Sequence, residues 1–321
     1  MADQWLPESE AKVSMYCASV MQAAAAFEMT RSFNGKTFKL DEHLDRLENS
    51  CRLLGIPLAL SKSALHAVCD EIVDRNRDAF DPTDEHRLLI VASPGCAPMY
   101  RELEGVIAEP YVYVTDFPLR YTVAGMGKYF TEGVQCVTTP VRQVPDECVP
   151  SQSKHRSRLH FHGAAQWAAP AWALMKDQNG NYCEAPGANI VLVRNGHICF
   201  LKEHALPGIS MQTVMELAQG QDQPNSRQPL LPPSGDDWLL WWRDKHHQNF
   251  DAVDEMWLTG TPFCMIPVVA VDGVPIGQGM PHAGKPGPIY NYILKRWSAM
   301  VGVNIAEQIQ RWDAEREMGQ R

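Results

Sequence analysis

The sequence predicts an α/β (α+β) fold in two domains, on three observations. At 321 residues the chain exceeds what one small core organises and fits two domains of ordinary size. Its first half alternates strand-like and helix-like patterns. Its longest apolar runs, residues 190–193 and 266–271 among them, are strand-length and far short of the roughly 18 residues of a spanning helix.

The elements follow in order. Residues 25–33 read as a strand, Asn34-Gly35 as a type I′ hairpin turn, and residues 36–38 as its return. Asp41 reads as an N-cap, opening a helix with Leu44, Leu47, Cys51 and Leu54 on one stripe and Gly55 as its stop. A second helix is expected over 63–75, then strands near 87–92 and 111–115. The stretch around Pro118, Gly125 and Gly127 has no clear period. The expected organisation is therefore an N-terminal small domain (1–118), a connection (119–130) and a larger C-terminal domain (131–321). That second part reads as a strand near 134–138, a Pro-rich loop, a helix over 159–176 and a hairpin turning at Asn195-Gly196. Another helix starts at Ser210, and residues 221–236 read as a loop. Trp238, Trp241 and Trp242 have the spacing of one buried helix face. Strands at 256–258 and 265–271, an Asp272-Gly273 turn and a helix from Pro288 complete the chain.

Composition narrows the function classes. With 45% apolar and 21% charged residues the chain is globular. A net charge of −9 speaks against a nucleic-acid partner, which needs a basic face. Nine cysteines without a C-x-x-C pair read as reduced thiols. Together with the absence of a basic, apolar leader pattern at Met1, they lead to an expected cytoplasmic location. His160-Phe161-His162 and His246-His247 lack partners at ligand spacing, so no metal is expected.

Three local features suggest a phosphate cradle. Leu206-Pro207-Gly208-Ile209-Ser210 is a glycine turn running into a helix, whose first N–H groups and positive dipole end suit an anion. Thr259-Gly260-Thr261 follows a strand and offers further N–H and hydroxyl groups. Arg46 offers a charge-assisted, bidentate donor. Each alone is also what an ordinary helix cap or a solvated arginine looks like.

The order of segments carries more. Phe27-Glu28-Met29-Thr30-Arg31-Ser32-Phe33-Asn34-Gly35-Lys36 resembles the F-E-x-x-R-x-Y-N-G-K hairpin of the fold-type IV pyridoxal 5′-phosphate (PLP) enzymes. That family holds the branched-chain and D-amino acid aminotransferases and aminodeoxychorismate lyase. Leu40 to Leu47 is similar to its L-x-E-H-L-x-R-L helix, Ser153-Lys154-His155-Arg156-Ser157-Arg158-Leu159 to its lysine segment, and Glu184 to Ile190 to E-x-x-x-x-N-[IL]. Leu206 to Ser210 and Leu258 to Thr261 match L-P-G-I-[TS] and x-T-G-T.

The resemblance implies a two-domain fold with PLP in the interdomain cleft, a homodimer, and a Schiff base on Lys154. It further implies Glu184 facing the pyridine nitrogen, and a phosphate held by Arg46, Ile209, Ser210, Gly260 and Thr261. The implied activity is amino-group transfer between an amine or amino acid donor and a keto acid. The alternatives are a lyase of the aminodeoxychorismate type, which the wording around Lys154 suggests, and a non-catalytic PLP-binding relative. On the substrate side, Phe27, Arg31 and Pro262 are the candidates. Two carboxylate traps of the family are altered: residues 91–95 carry no arginine, and Pro262 has no N–H to offer in the turn after Thr261. Arg31, Arg156 and Arg158 are the candidate replacements.

Overall fold

The computed structural model describes residues 4–220, 250 and 252–319. The 221–236 loop, the Trp238, Trp241 and Trp242 face and His246-His247 lie outside the described residues. The chain divides into two compact units, one made of residues up to Pro118 together with Ser153–Arg158, the other of Leu119–Gln152 and Leu159–Arg321. No helix among the described residues is long and apolar enough to cross a membrane.

The first unit is an antiparallel sheet in the order β2 (Lys36–Thr37), β1 (Ala26–Phe33), β3 (His86–Ser93), β4 (Tyr111–Pro118). Asn34 and Gly35 turn the hairpin at φ +52° and +71°, the left-handed pair that a type I′ turn demands. A four-residue helix, α1 (Ala18–Met21), precedes it. Helices α2 (Leu40–Leu54) and α3 (Lys62–Asn76) cover one sheet face. Leu44, Leu47 and Cys51 of α2 meet Leu65, Cys69 and Val73 of α3 and Leu88, Ile90 and Ala92 of β3. Gly55 ends α2 at φ +66°, as its stop signal implies. Asp41 does not cap α2: the helix begins one residue earlier, behind Lys39 in the left-handed region, and Asp41 lies in the first turn 3.4 Å from Lys62 Nζ. Helix α3 does carry a side-chain cap, Ser61 Oγ accepting from the Ala64 N–H at 3.2 Å.

In the second unit β5 (Val134–Arg142) runs parallel to β6 (Trp172–Lys176) and to β11 (Cys264–Val271). The remaining pairings are antiparallel: β6 with β7 (Tyr182–Ala185), β7 and β9 (His197–Phe200) with β8 (Ala188–Arg194), and β8 and β11 with β10 (Glu255–Gly260). Since β10 pairs with both β8 and β11, strands β5, β6, β7, β8, β10 and β11 close into a ring. The short β12 (Val274–Pro275) pairs with β11 across the Asp272-Gly273 turn.

Helix α6 (Leu159–Ala168) links β5 to β6. The expected helix over 159–176 is thus a helix followed by a strand. Pro170 has no N–H and disfavours the helical region for the residue before it, so the helix stops and the apolar run 172–175 enters the sheet. Helix α7 (Ile209–Ala218) starts behind Gly208. The expected last helix is two, α8 (Pro288–Val301) and α9 (Ile305–Gly319), parted by Gly302 at φ +69°.

The 119–130 stretch, read from sequence as a connection, is built into the second unit. It carries the short helix α4 (Leu119–Thr122) and leads into α5 (Tyr129–Glu132), with Leu119 and Val123 fully buried. The Asp313 carboxylate of α9 accepts the Gly125 N–H at 2.6 Å and the Gly127 N–H at 2.8 Å. Its lack of period reflects capping by a distant carboxylate rather than an open linker.

Candidate active site

In the first unit the alternation of β1 aims Ala26, Glu28 and Thr30 at the helices and Phe27, Met29 and Arg31 at the opposite face. Glu28 has no exposure to solvent. Its two carboxylate oxygens accept Arg46 Nε at 2.7 Å, Arg46 Nη2 at 2.8 Å and His43 Nδ1 at 2.7 Å. Burial alone would raise the Glu28 pKa, but the Arg46 guanidinium and the His43 bond outweigh it and hold it at about 2. Burial is also the first cause that keeps the His43 pKa below its usual value, with the bond to Glu28 opposing it. Arg46, the expected phosphate arginine, therefore commits two nitrogens to Glu28, which fixes the plane of its guanidinium.

Lys154 belongs to this same unit. Ser153–Arg158 runs beside the start of β1: Lys154 O accepts the Phe27 N–H at 3.0 Å, the Arg156 N–H donates to Ala25 O at 2.9 Å, and His155 bridges Ala26. The Lys154 N–H donates to Ser50 Oγ at 3.0 Å, whose own hydroxyl donates to Arg46 O. The Lys154 backbone is thus tied to β1 and α2 together. Its Nζ stands 4.9 Å from the centre of the Phe27 ring, with the guanidinium carbons of Arg156 at 4.4 Å and Arg158 at 5.6 Å around the same ring.

Arg31 is packed within its own unit. It is 1% exposed, donates from Nε to Ser32 O and lies 4.0 Å over the Phe33 ring, the posture of a packing arginine. Its cross-strand partner Arg87, which sequence reasoning passed over, is the one that stands out. Arg87 lies over the Phe117 ring and touches Met29 Sδ, while its buried Nε has no hydrogen-bond partner. Burial first, then the nearby charge of Arg156, pushes the Arg87 pKa below the usual arginine value. Neither Arg87 nor Arg156 forms an ion pair among the described residues.

The second unit places Glu184, Asn189 and Thr259 in one row across β7, β8 and β10. Gln143 Nε2 donates to Glu184 Oε1, and the Leu206 N–H donates to Oε2 at 3.3 Å. Asn189 Nδ2 donates to Leu206 O at 2.7 Å, and Asn189 Oδ1 presses so close to Gly208 that a Cβ there would stand 1.9 Å away. One asparagine therefore sets the whole approach to Ile209 and Ser210 at the start of α7, and only glycine fits at its cap. A Cβ on Gly260 would likewise meet Phe263 at 2.8 Å and Gly187 O at 3.1 Å. Thr261 and Pro262 form the turn after it, and the Thr259 hydroxyl is buried without a partner. A helix start, a neighbouring turn and an unspent hydroxyl beside a buried carboxylate suit a phosphorylated aromatic ring with a basic nitrogen.

A family model for amino-transferase class IV matches residues 25–271, from the edge of β1 to the end of β11. The chain belongs to the class IV aminotransferase family. Among relatives, branched-chain-amino-acid aminotransferase-like protein 1 of Arabidopsis thaliana is 29% identical over 304 residues, 90% of this chain and 48% of that protein. The chain spans about half the length of this plant relative and of its sister protein 2. A branched-chain amino acid aminotransferase of Escherichia coli aligns with a TM-score of 0.73 at 20% identity, covering 92% of this chain and 91% of that one. The branched-chain aminotransferase of the thermophilic archaeon Thermoproteus uzoniensis, solved with norvaline, aligns at 0.72 with 23% identity, covering 96% and 95%. The fold is therefore fold type IV.

Within this member of the class IV aminotransferase family, the structure brings Glu184 to the Gly208–Ser210 helix start and Lys154 to Phe27 and α2, each inside its own unit. What sequence reading missed were the partners: Gln143 for Glu184, Glu28 for Arg46, and Arg87 beside Arg156. Of these only Arg87 had a signal, since strand alternation puts it on the same face as Phe27.

Proposed function

We propose that this chain is a PLP-dependent aminotransferase that moves an amino group from an amino acid or amine donor to a keto acid, acting as a cytoplasmic homodimer. The observation that carries the reading is the row of Glu184, Asn189 and Thr259 built onto the helix start at Ile209. When bound, PLP supplies an aldehyde and an electron-withdrawing ring. Lys154 would hold the aldehyde carbon and move the substrate's proton. Both tasks need a neutral amine. Glu184 would hold a proton on the ring nitrogen. The Gly208–Ser210 N–H groups, the Thr259 and Thr261 hydroxyls, Gly260 and Arg46 would hold the phosphate.

The test is borohydride reduction of the yellow holoenzyme followed by peptide mapping. A phosphopyridoxyl group on Lys154 is expected; an adduct on another lysine, or none at saturating PLP, ends the proposal. Conversion of the cofactor to its pyridoxamine form by a donor separates transamination from lyase chemistry, which leaves the cofactor as PLP.

On the same reading Arg156 and Arg87 take over the substrate carboxylate that Pro262 cannot bind through an N–H. Each charge-assisted bond is worth about 1.5–3 kcal/mol. Arg156→Met and Arg87→Met should therefore each lower kcat/KM for leucine relative to 1-phenylethylamine by roughly tenfold to a hundredfold. The ratio removes any general loss of activity. An unchanged ratio in both variants would take the arginines out of the site.

A further inference from the structure

Gln143 follows the last residue of β5, and its main chain is fixed on both sides: its N–H donates to Lys176 O at 3.0 Å and its carbonyl accepts Gln178 Nε2 at 2.7 Å. The side chain is buried, and each of its polar atoms is used. Nε2 donates to Glu184 Oε1 and to His204 O at 3.2 Å, and Oε1 accepts the Val144 N–H at 3.1 Å. The carbonyl it grips is itself held in place. His204 sits at φ +53°, with Nδ1 3.0 Å from Asp146 Oδ2 and Nε2 3.9 Å from Asp177 Oδ2. Gln143 is thus a strut between a fixed loop and one oxygen of Glu184, while the Leu206 N–H holds the other oxygen.

We infer that Gln143 is a positioning residue for Glu184, aiming that carboxylate by a neutral donor that orients it and leaves its negative charge available. This rests on the reading of Glu184 as the carboxylate opposite the ring nitrogen. The amide matters chemically as well as sterically. A cation in its place would compete for the charge that keeps the ring protonated, an apolar side chain would withdraw this donor from Oε1 in a buried setting, and a second carboxylate would share one proton with Glu184.

The experiment compares wild type, Gln143→Met, Gln143→Glu and Glu184→Gln as holoenzymes. Two quantities are read: the pH titration of the visible band of bound PLP, and the single-turnover rate and KM for one donor. Losing the donor in Gln143→Met should slow turnover about tenfold, with KM within about twofold, and displace the titration midpoint in the direction that Glu184→Gln displaces it. Gln143→Glu nearly preserves shape, so it serves if the methionine variant folds poorly. Its carboxylate pair holds one proton more tightly than a lone carboxylate and releases it as pH rises, so its turnover should climb with pH beyond the range where wild type is level. A purely structural glutamine would not create that rise. Wild-type titration and rate in Gln143→Met, or a Gln143→Glu pH profile parallel to wild type, beside a slow Glu184→Gln, overturns the inference and leaves Glu184 in place. A Glu184→Gln variant indistinguishable from wild type removes Glu184 from the ring and takes the inference with it.

Discussion

Lys154→Ala should retain its fold and lose turnover by about 10²–10⁴-fold, the scale of a positioned group that moves a proton at the reacting carbon. The backbone at this point is held by bonds that the side chain does not make: the Phe27 N–H to Lys154 O, the Lys154 N–H to Ser50 Oγ, and the Arg156 N–H to Ala25 O. Truncation at Cβ leaves all three, so thermal stability should move little while chemistry stops. Lys154→Arg completes the test, because it keeps a cation near Phe27 but cannot be neutral near pH 7. The measurement is a single-turnover half-reaction with an amino acid donor, beside a melting curve. A variant that melts with the parent and still turns over within tenfold would show that another amine does the work.

The second large effect is on stability. Glu28→Gln removes the carboxylate that pairs with Arg46 and His43 in a fully buried setting. Breaking a buried ion pair from one side costs about 3–5 kcal/mol, because the surviving charge stays desolvated. At about 2–4 °C per kcal/mol the melting temperature should fall by at least about 6 °C. The double variant Glu28→Leu with Arg46→Met should recover much of this, since a packed apolar pair has no stranded charge. A single variant as stable as the parent would mean that the cluster is solvated.

The same cluster sets an acid limit. Glu28 has its pKa depressed from 4.5 to about 2, so its contribution is complete above about 4.5 and is lost as pH falls towards 2. The pKa of His43 is depressed as well. Below 6.5 an unfolded chain binds a proton there that the folded chain resists, so the loss begins earlier. Both groups act in one direction, and urea midpoints should decline from near pH 6.5 downward.

Turns were the most legible part of the sequence. Asn34-Gly35, Gly55 and Asn195-Gly196 announce left-handed backbone that few other residues adopt, and all take it. Helix ends were less so: the pattern over 159–176 satisfies a helix until Pro170 forbids it, and Asp41 resembles a cap that the αL residue Lys39 displaces. Least legible were contacts made across great sequence distance. Nothing near Lys154 tells that Ser50 receives its N–H, or that Gln143 reaches Glu184, because these pairings exist only once the sheets have formed. The packing of Arg31 was illegible for a related reason, since alternation gives the face of a side chain and not whether a neighbouring ring will occupy it.

The backbone enters the second unit after Pro118, returns for the six residues Ser153–Arg158, and leaves again. The first unit is therefore not a contiguous stretch of gene. A fragment ending at Pro118 would encode its sheet and helices but omit the segment that carries Lys154. The two units are thus poor candidates for independent exchange between proteins, and a recombination point between them would have to respect three crossings rather than one. Such threading ties the history of the lysine to that of the whole chain, and makes circular permutation within 119–152 a harsher operation than a cut in an ordinary linker.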